Sequence, residues 1–327
     1  MCFLRPGDKY GIVAVENTKL AGDLHLPIRI SNALEIQSAL PIDVEEHWTE
    51  WLGTLTIESL TKSNLVIVAR KVAEDIRVVN HENKELRESS RAVWYGLLLN
   101  GIPYSDNVHF LSGSIYTDRP PDVRQHTDED FHRSHGRRGV EVTESNLRTA
   151  PTLAEGILAM RPRPRPAAQG ESSRPWRGFH ALIGAITAVW GEDRLHRFVR
   201  AVEGIVDSPP PSGRNFLERV ISAMVDDDPD NRLIIDDIYK LRNAIEHLNP
   251  LRDIPDRIVD ADERNERRNR LVRQAEDLAL RVYRRLTSDR ALIAELSTDA
   301  GIDALWSLDA AGRRRRWADS INLNSIP

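Results

Sequence analysis

The chain of 327 residues contains a single cysteine, Cys2. One cysteine excludes an internal disulfide and a zinc site built from several thiolates, and it fits a reducing cytoplasm. The sequence also lacks a run of about 18 apolar residues, the length that a membrane-spanning helix needs. We therefore expect a cytoplasmic protein, without a membrane span, whose stability depends on an apolar core.

Several motifs of common enzymes are missing as well. There is no Gly-rich phosphate loop with its lysine, no dinucleotide-binding fingerprint and no Ser or Cys nucleophile elbow, which argues against an ATPase, a dehydrogenase and an esterase. The net charge of −5 argues against a protein that coats nucleic acid through its overall field. Any contact with RNA must therefore be local.

The first 160 residues have a mixed pattern of apolar spacing. The pattern predicts strands at 10–15, 24–30 and 65–70, helices at 44–52 and 85–100, and a long polar loop at 118–138. We predict a mixed α/β N-terminal module at 1–160, with a sensing or regulatory role. The segment 161–175, RPRPRPAAQGESSRP, alternates Arg and Pro before it turns small and polar, which predicts a linker and excludes a helix.

After this linker, apolar residues recur at helical spacing throughout. The predicted helices are 176–190, 192–206, 215–225, 229–248 and 262–287. Helices with short connections predict an antiparallel bundle at 176–290, followed by a C-terminal helical extension with a basic tail at 291–327. The predicted fold class is therefore mainly α.

The segment 238–248, IYKLRNAIEHL, carries the most chemistry in the chain. Three polar residues, Arg242, Asn243 and His247, lie beside apolar residues that recur at alternating steps of four and three, which predicts one buried stripe. Arginine is a permanently charged phosphate ligand, and histidine titrates near neutrality. Such a pair can cleave a phosphodiester. The apolar stripe consists of Ile234, Ile238, Leu241, Ile245 and Leu248.

This string resembles the Arg-x4-His signature of HEPN domains, and the surrounding residues 176–286 are most similar to the Apea-like HEPN group. An Asn directly after the Arg is frequent in that family. The resemblance implies a metal-independent ribonuclease with no cofactor and no metal. It implies that His247 moves the proton of the 2′-hydroxyl or the 5′-leaving oxygen, and that Arg242 holds the phosphate. Asn243 would orient the imidazole or hydrogen-bond a phosphate oxygen.

Helix geometry makes one copy of this motif incomplete. Residues five apart in a helix point about 140° away from each other. By resemblance, HEPN proteins bring two such helices together around one cleft in a homodimer. The resemblance therefore implies a homodimer acting on RNA in stress or phage defence, with a regulatory protein or an antitoxin as a further partner.

Two auxiliary residues are predicted near the motif. Glu203 lies at the edge of the apolar stripe of 192–206, where a carboxylate needs a partner, and Arg242 can provide it. The alternative for Glu203 is a local pair with Arg200 or Arg197. Tyr239 lies one turn before Asn243, where it could stack a base or simply pack in the bundle.

Two non-catalytic interpretations remain open for the motif itself. Arg242 and Glu246 could form an ordinary i,i+4 ion pair, and His247 could interact with the helix dipole. The chain would then be a HEPN-like dimerisation or partner-binding module, or a structural helical protein in which the motif is coincidental.

Two further clusters of polar residues have both a functional explanation and a simpler one, exposure to solvent. The loop at 126–135 contains His126, His132 and His135 beside three carboxylates, a composition that could bind a metal, although a solvated loop is favoured. The basic run 313–316 beside Trp317 could bind an RNA backbone or form a solvated end.

Overall fold

The computed structural model describes residues 3–103, 105–127, 139–162, 174–206 and 212–326. The chain divides into two compact units, Met1–Leu158 and Ala159–Pro327. Over the described ranges, the fold is mainly α, with twelve α-helices and one six-stranded antiparallel sheet. None of those helices combines the length and the apolar character needed to cross a membrane.

The first unit contains the whole sheet and four helices. Its elements are β1 Asp8–Glu16, β2 Ile28–Arg29, β3 Leu34–Gln37, α1 Trp48–Leu52, α2 Thr54–Thr61, β4 Ser63–Val72, α3 His81–Leu99, β5 Val108–Ser114, β6 Asp122–His126 and α4 Glu144–Ala159.

The sheet has the order β2-β3-β4-β1-β5-β6, so β1 and β4 lie near its centre. Every residue of β1 is buried, because both faces of this strand are covered. On one face, α3 approaches so closely that a Cβ on Gly11 would lie 2.4 Å from the backbone of Leu86. On the other face, Tyr10 and Ile12 belong to an apolar cluster with Phe3 and other residues. A strand buried on both sides explains the continuous apolar run of the sequence.

Several predictions for this unit were wrong in extent. The strand predicted at 24–30 is reduced to Ile28–Arg29, and the helix predicted at 44–52 begins only at Trp48. Trp48 is fully buried whereas Trp51 is 79% exposed, so the two tryptophans do not share one buried face. The long loop predicted at 118–138 contains β6, and its residues 128–138 lie outside the described part of the chain.

The second unit is helical throughout. Its elements are α5 Arg174–Thr187, α6 Gly191–Glu203, α7 Ser212–Ala223, α8 Pro229–Glu246, α9 Ala261–Thr287, α10 Arg290–Leu296, α11 Asp299–Ser307, α12 Ala310–Trp317 and a short 3-10 helix Leu323–Ser325.

Helix α6 is central in this unit and packs against α5, α8 and α9. Its crossing with α5 is unusually close, since a Cβ on Gly204 would lie 2.7 Å from the Cα of Gly178. The buried Tyr283 of α9 joins both helices: its hydroxyl lies 3.1 Å from the carbonyl oxygen of Pro175 and 3.0 Å from that of Ala201. These contacts fix the C-terminal end of α6, where Glu203 lies.

The predicted linker needs a correction at its end. Arg174 and Pro175 belong to the first turn of α5, where proline is tolerated because the first helical N–H groups have no intrahelical partner. The part of the linker at 163–173 lies outside the described residues.

The basic run 313–316 is not a solvated tail. It forms α12, whose Trp317 is 1% exposed. The Arg314 guanidinium donates to the carbonyl oxygen of Ile221 at 2.7 Å, and Arg313 donates to the Ser222 hydroxyl at 2.7 Å. The arginines therefore attach α12 to α7 and to its C-terminal end. Because three of its four arginines donate within the fold, the run offers at most the exposed Arg315 to an RNA backbone.

Candidate functional site

Helix α8 presents the Arg-Asn-x3-His residues at its C-terminal end. It begins at Pro229 after the N-cap Asp228, whose carboxylate accepts from the backbone N–H of Asn231 at 2.9 Å. Proline is favoured at this first helical position because its fixed φ suits a helix. Ile234, Ile238 and Leu241 are buried, as the apolar spacing predicted.

The end of α8 differs from the prediction. The helix stops at Glu246, with His247 as its C-cap, and Leu248 adopts a left-handed conformation with φ of 55°. Asn249 N–H donates to Ala244 O at 2.8 Å, and Leu248 N–H donates to Ile245 O at 3.2 Å, which is the pairing of a Schellman motif. Leu248 is 92% exposed, so its predicted place on the buried stripe was wrong.

The loop after α8 is held against the helix that it leaves. Asp237 is almost completely buried on α8 and accepts from the guanidinium of Arg257, which returns from the loop. Arg267 of α9 lies 3.3 Å from the same carboxylate. Arg268 donates to the carbonyl oxygen of Ile254 at 2.8 Å. These contacts position the segment that follows His247.

Arg242 is almost fully buried, with 7% of its surface exposed. One of its terminal nitrogens donates to Asn243 Oδ1 at 2.8 Å and lies 2.5 Å from Glu246 Oε2. The other terminal nitrogen lies 3.4 Å from Glu203 Oε2. Its Nε is buried and has no hydrogen-bond partner in the described residues. The guanidinium is thus held in one orientation, with one donor unused.

Four charged residues of α6 and α8 form a closed ring of alternating sign. Arg242 contacts Glu203 and Glu246, and Arg200 contacts the same two carboxylates at 3.4 and 3.6 Å. Glu203 has both the predicted partner, Arg242, and the alternative local partner, Arg200. Arg242 also forms the i,i+4 pair with Glu246, but as a buried residue rather than on the surface. We name these four residues the charge ring.

His247 differs from Arg242 in its surroundings. Its side chain is exposed, and its imidazole has no hydrogen-bond partner within the described part of the chain. The side chain of Asn243 contacts Arg242 and not this imidazole, so the structure places Asn243 beside the cation. The end of α8 therefore combines a fixed guanidinium with an imidazole that is accessible to a ligand.

Tyr239 packs inside the unit. Its ring is 7% exposed, lies 5.2 Å from the ring of Phe216, and has the Arg242 guanidinium 5.5 Å from its centroid. Burial raises the pKa of the Tyr239 hydroxyl. A buried ring cannot stack on a base without moving, so this arrangement favours packing and a cation–π contact with Arg242.

One residue of this region was missed by the sequence analysis. His196 of α6 precedes Arg200 by four residues and Glu203 by seven, so all three lie on the face that meets α8. Its Nδ1 is buried and has no hydrogen-bond partner among the described residues. Burial lowers the pKa of His196, and the nearby Arg242 lowers it further. The i, i+4, i+7 spacing to Glu203 was the available signal.

Comparisons with known proteins gave no match. No protein-family model, no curated protein and no solved structure was matched by this chain. What characterises the site is therefore its own chemistry: a buried cation, an exposed imidazole and two carboxylates on one pair of helices.

The lowered pKa of His196 predicts a pH-dependent stability. Below the ordinary value of 6.5, the unfolded chain binds a proton at His196 that the folded protein binds less readily. The free energy of unfolding should therefore fall as the pH decreases through 6.5, and His196→Asn should weaken that dependence. Chemical denaturation between pH 7.5 and about pH 5.5 measures it. His25→Asn, at an exposed position of the first unit, is the control, and equal slopes for wild type and His196→Asn would contradict the expectation.

In the predicted histidine cluster at 126–135, the one histidine that the structure describes, His126, has partners within the fold. His126 lies between two neighbours, with Arg87 2.7 Å from its Nδ1 and the Ser112 hydroxyl 2.8 Å from its Nε2. His132 and His135 lie outside the described residues. Over the ranges that are described, no group of three or more His, Cys, Asp or Glu side chains is arranged to hold a metal.

Proposed function

We propose that this chain is a cytoplasmic, metal-independent RNA endonuclease of the HEPN type. The observation that carries the proposal is the end of α8, where a guanidinium that is 7% exposed precedes an exposed imidazole by five residues. A rigid cation can hold a phosphate, and an accessible imidazole can transfer a proton to or from a bound substrate. The likeness of RNAIEH to the HEPN signature supports the same reaction.

The proposed reaction needs no external nucleophile. A base removes the proton of the 2′-hydroxyl, the 2′-oxygen bonds to phosphorus, and the 5′-oxygen leaves with a proton from an acid. The products are a 2′,3′-cyclic phosphate and a 5′-hydroxyl, so atoms and charge balance without a redox step. His247 moves the proton and Arg242 stabilises the added negative charge on the phosphate oxygens.

Binding of a phosphate at Arg242 requires a rearrangement of the charge ring. Both terminal nitrogens already contact carboxylates and Nε is buried, so a phosphate must displace a carboxylate. Glu246 is the more mobile candidate, because it lies at the last helical residue and its side chain is 30% exposed, against 16% for Glu203. The resting ring then holds Arg242 in position until RNA replaces Glu246.

The proposal includes a homodimer. One imidazole cannot be the base and the acid in the same step, and a second copy of His247 supplies the other function. By the same family likeness, we propose a role in stress or phage defence, with a regulatory protein or antitoxin that restrains cleavage. The N-terminal unit would then have a sensing or regulatory role.

A non-catalytic HEPN-like binding module is the second candidate function. The observation that favours it is the charge ring itself, in which Arg242 already has carboxylate partners on both terminal nitrogens. A ring in which every charge has a partner is fully explained by a structural role, which is to fix α6 against α8. In that case the end of α8 would present His247 and Leu248 to a protein partner.

The test is RNA cleavage by the 327-residue protein in the presence of a chelator. We expect a labelled single-stranded RNA to be cut in EDTA, with 2′,3′-cyclic phosphate and 5′-hydroxyl ends on the products. Loss of cleavage in EDTA would contradict metal independence. Complete inertness of a folded, dimeric wild-type protein toward total RNA would favour the binding module.

A further inference from the structure

A cavity of about 540 Å³ opens at the crossing of α5 and α6. Its floor is backbone, because Gly178 and Gly204 line it and allow the two helices to approach closely. Its volume falls within the range of about 300–1,000 Å³ that is typical of cavities that bind small ligands. A group the size of one nucleotide fits such a space.

The charged residues that line this cavity are mostly arginines. Arg174, Arg177 and Arg200 stand against a single carboxylate, that of Glu203. Arginine binds phosphate through two parallel N–H groups, so several guanidinium groups around one space favour an anionic ligand of this geometry. The cavity differs in this from the chain as a whole, whose net charge is −5.

The arginines of the cavity differ in their hydrogen bonds and ion pairs with the rest of the protein. One nitrogen of Arg174 lies 3.0 Å from the carbonyl oxygen of Glu203 and 3.3 Å from that of Val206, so this guanidinium is fixed at the end of α6. Arg200 belongs to the charge ring. Arg177 is exposed, and no described carboxylate forms an ion pair with it. The cavity therefore has one fixed cation and one whose charge a ligand can use.

The cavity and the candidate site share a wall. Arg200 and Glu203 line the cavity, and the same two residues contact Arg242 and Glu246 in the charge ring. The Glu203 carboxylate is occupied by Arg200 and Arg242, which reduces its repulsion of an anion in the cavity. A nucleic-acid strand bound at Arg242 would therefore pass the cavity within a short distance.

We propose that this cavity binds a backbone phosphate of single-stranded RNA that neighbours the phosphate held at Arg242. Arg177 is its ligand, the fixed Arg174 adds positive charge, and the Gly178–Gly204 crossing forms the floor. This inference rests on the proposed function, since it extends the same substrate from the cleavage site into a second subsite. Binding of one additional phosphate also explains how an acidic protein holds RNA through local contacts.

The test measures RNA binding apart from cleavage. The His247→Ala variant of the 327-residue protein is used because this substitution blocks turnover. Its affinity for a fluorescein-labelled single-stranded RNA of about ten nucleotides is measured by anisotropy at several salt concentrations. Adding Arg177→Ala should raise the Kd about five- to tenfold. It should also make the slope of log K, the association constant, against log salt less negative by about 0.7, the value for one phosphate contact on a single strand. Arg290→Ala, on α10 and outside the cavity, is the matched control and should leave both unchanged.

The possible outcomes separate this inference from the proposed function. If the wild type does not cleave RNA but binding depends on Arg177, the subsite stands and the nuclease function fails. If cleavage occurs but Arg177→Ala changes neither Kd nor slope, the subsite is overturned and the nuclease function stands. AMP is titrated in parallel, and Arg177-dependent binding of AMP without any effect on RNA would assign the cavity to a free nucleotide and overturn the proposal.

Discussion

His247→Ala is expected to reduce the rate of RNA cleavage by about two to four orders of magnitude, which is the usual contribution of a general acid or base. The fold should persist, because the imidazole is exposed and has no hydrogen-bond partner in the described structure. Loss of a favourable interaction with the C-terminal end of α8 should cost at most about 1 kcal/mol. Single-turnover cleavage in EDTA, with protein in excess over labelled RNA, measures the effect on the chemical step.

The matched control is His25→Ala, which removes another exposed imidazole from the first unit. It should cleave RNA at the wild-type rate, and neither variant should lose more than about 1 kcal/mol of unfolding free energy. Unchanged cleavage by folded His247→Ala would remove this residue from the mechanism. His196, the other histidine near Arg242, would then be the next imidazole to substitute.

The elements predicted best are those whose signals are local. Strand β4, predicted at 65–70, and the start of α8, predicted at 229, depend on residues close together in the chain. The long stripe of α9 is likewise a local repeat, and its predicted range, 262–287, agrees with Ala261–Thr287 to within one residue. Periodicity and capping therefore sufficed wherever one stretch of chain decides its own structure.

Elements whose stability comes from distant partners were not predicted. Strand β6 was included in a polar loop because its residues become a strand only by pairing with β5. Helix α4 contains Pro151, a residue that argues against a helix in sequence, and it packs where Ala150 approaches Gly96 of α3. Tertiary contacts outweigh local preference in both cases.

The candidate site shows the same division. The sequence predicted Arg242, Asn243 and His247 at the end of a helix, and it suggested Glu203 as a partner for Arg242. It could not reveal that Arg242 is buried or that Arg200 closes a ring, because both facts depend on the packing of α6 against α8. Leu248 was misplaced for a related reason: the helix ended two residues earlier than its apolar spacing suggested.

Arg242→Lys is expected to reduce cleavage by about two to three orders of magnitude, the cost of removing one donor that stabilises transition-state charge. Lysine retains the positive charge but loses the planar fork that contacts Glu203 and Glu246 at rest, and Glu203 and a phosphate when RNA is bound. Arg242→Ala should in addition destabilise the protein by about 1–3 kcal/mol. This is below the roughly 3–5 kcal/mol that breaking a fully buried ion pair costs, because the side chain of Glu246 is 30% exposed. Denaturation curves and single-turnover cleavage measure the two effects separately.

Arg194→Lys is the matched control that distinguishes a role of Arg242 in cleavage from a role in packing. Arg194 lies on the same helix as Glu203, its side chain is buried to a similar degree as that of Arg242, and it pairs with Glu276 of α9. If Arg242 acts on the phosphate, the two lysine variants should lose comparable stability while only Arg242→Lys loses cleavage. If Arg242 serves only to join α6 to α8, cleavage by both variants should follow the folded fraction alone. A normal rate for folded Arg242→Lys would therefore assign the charge ring to structure and leave the phosphate without its proposed ligand.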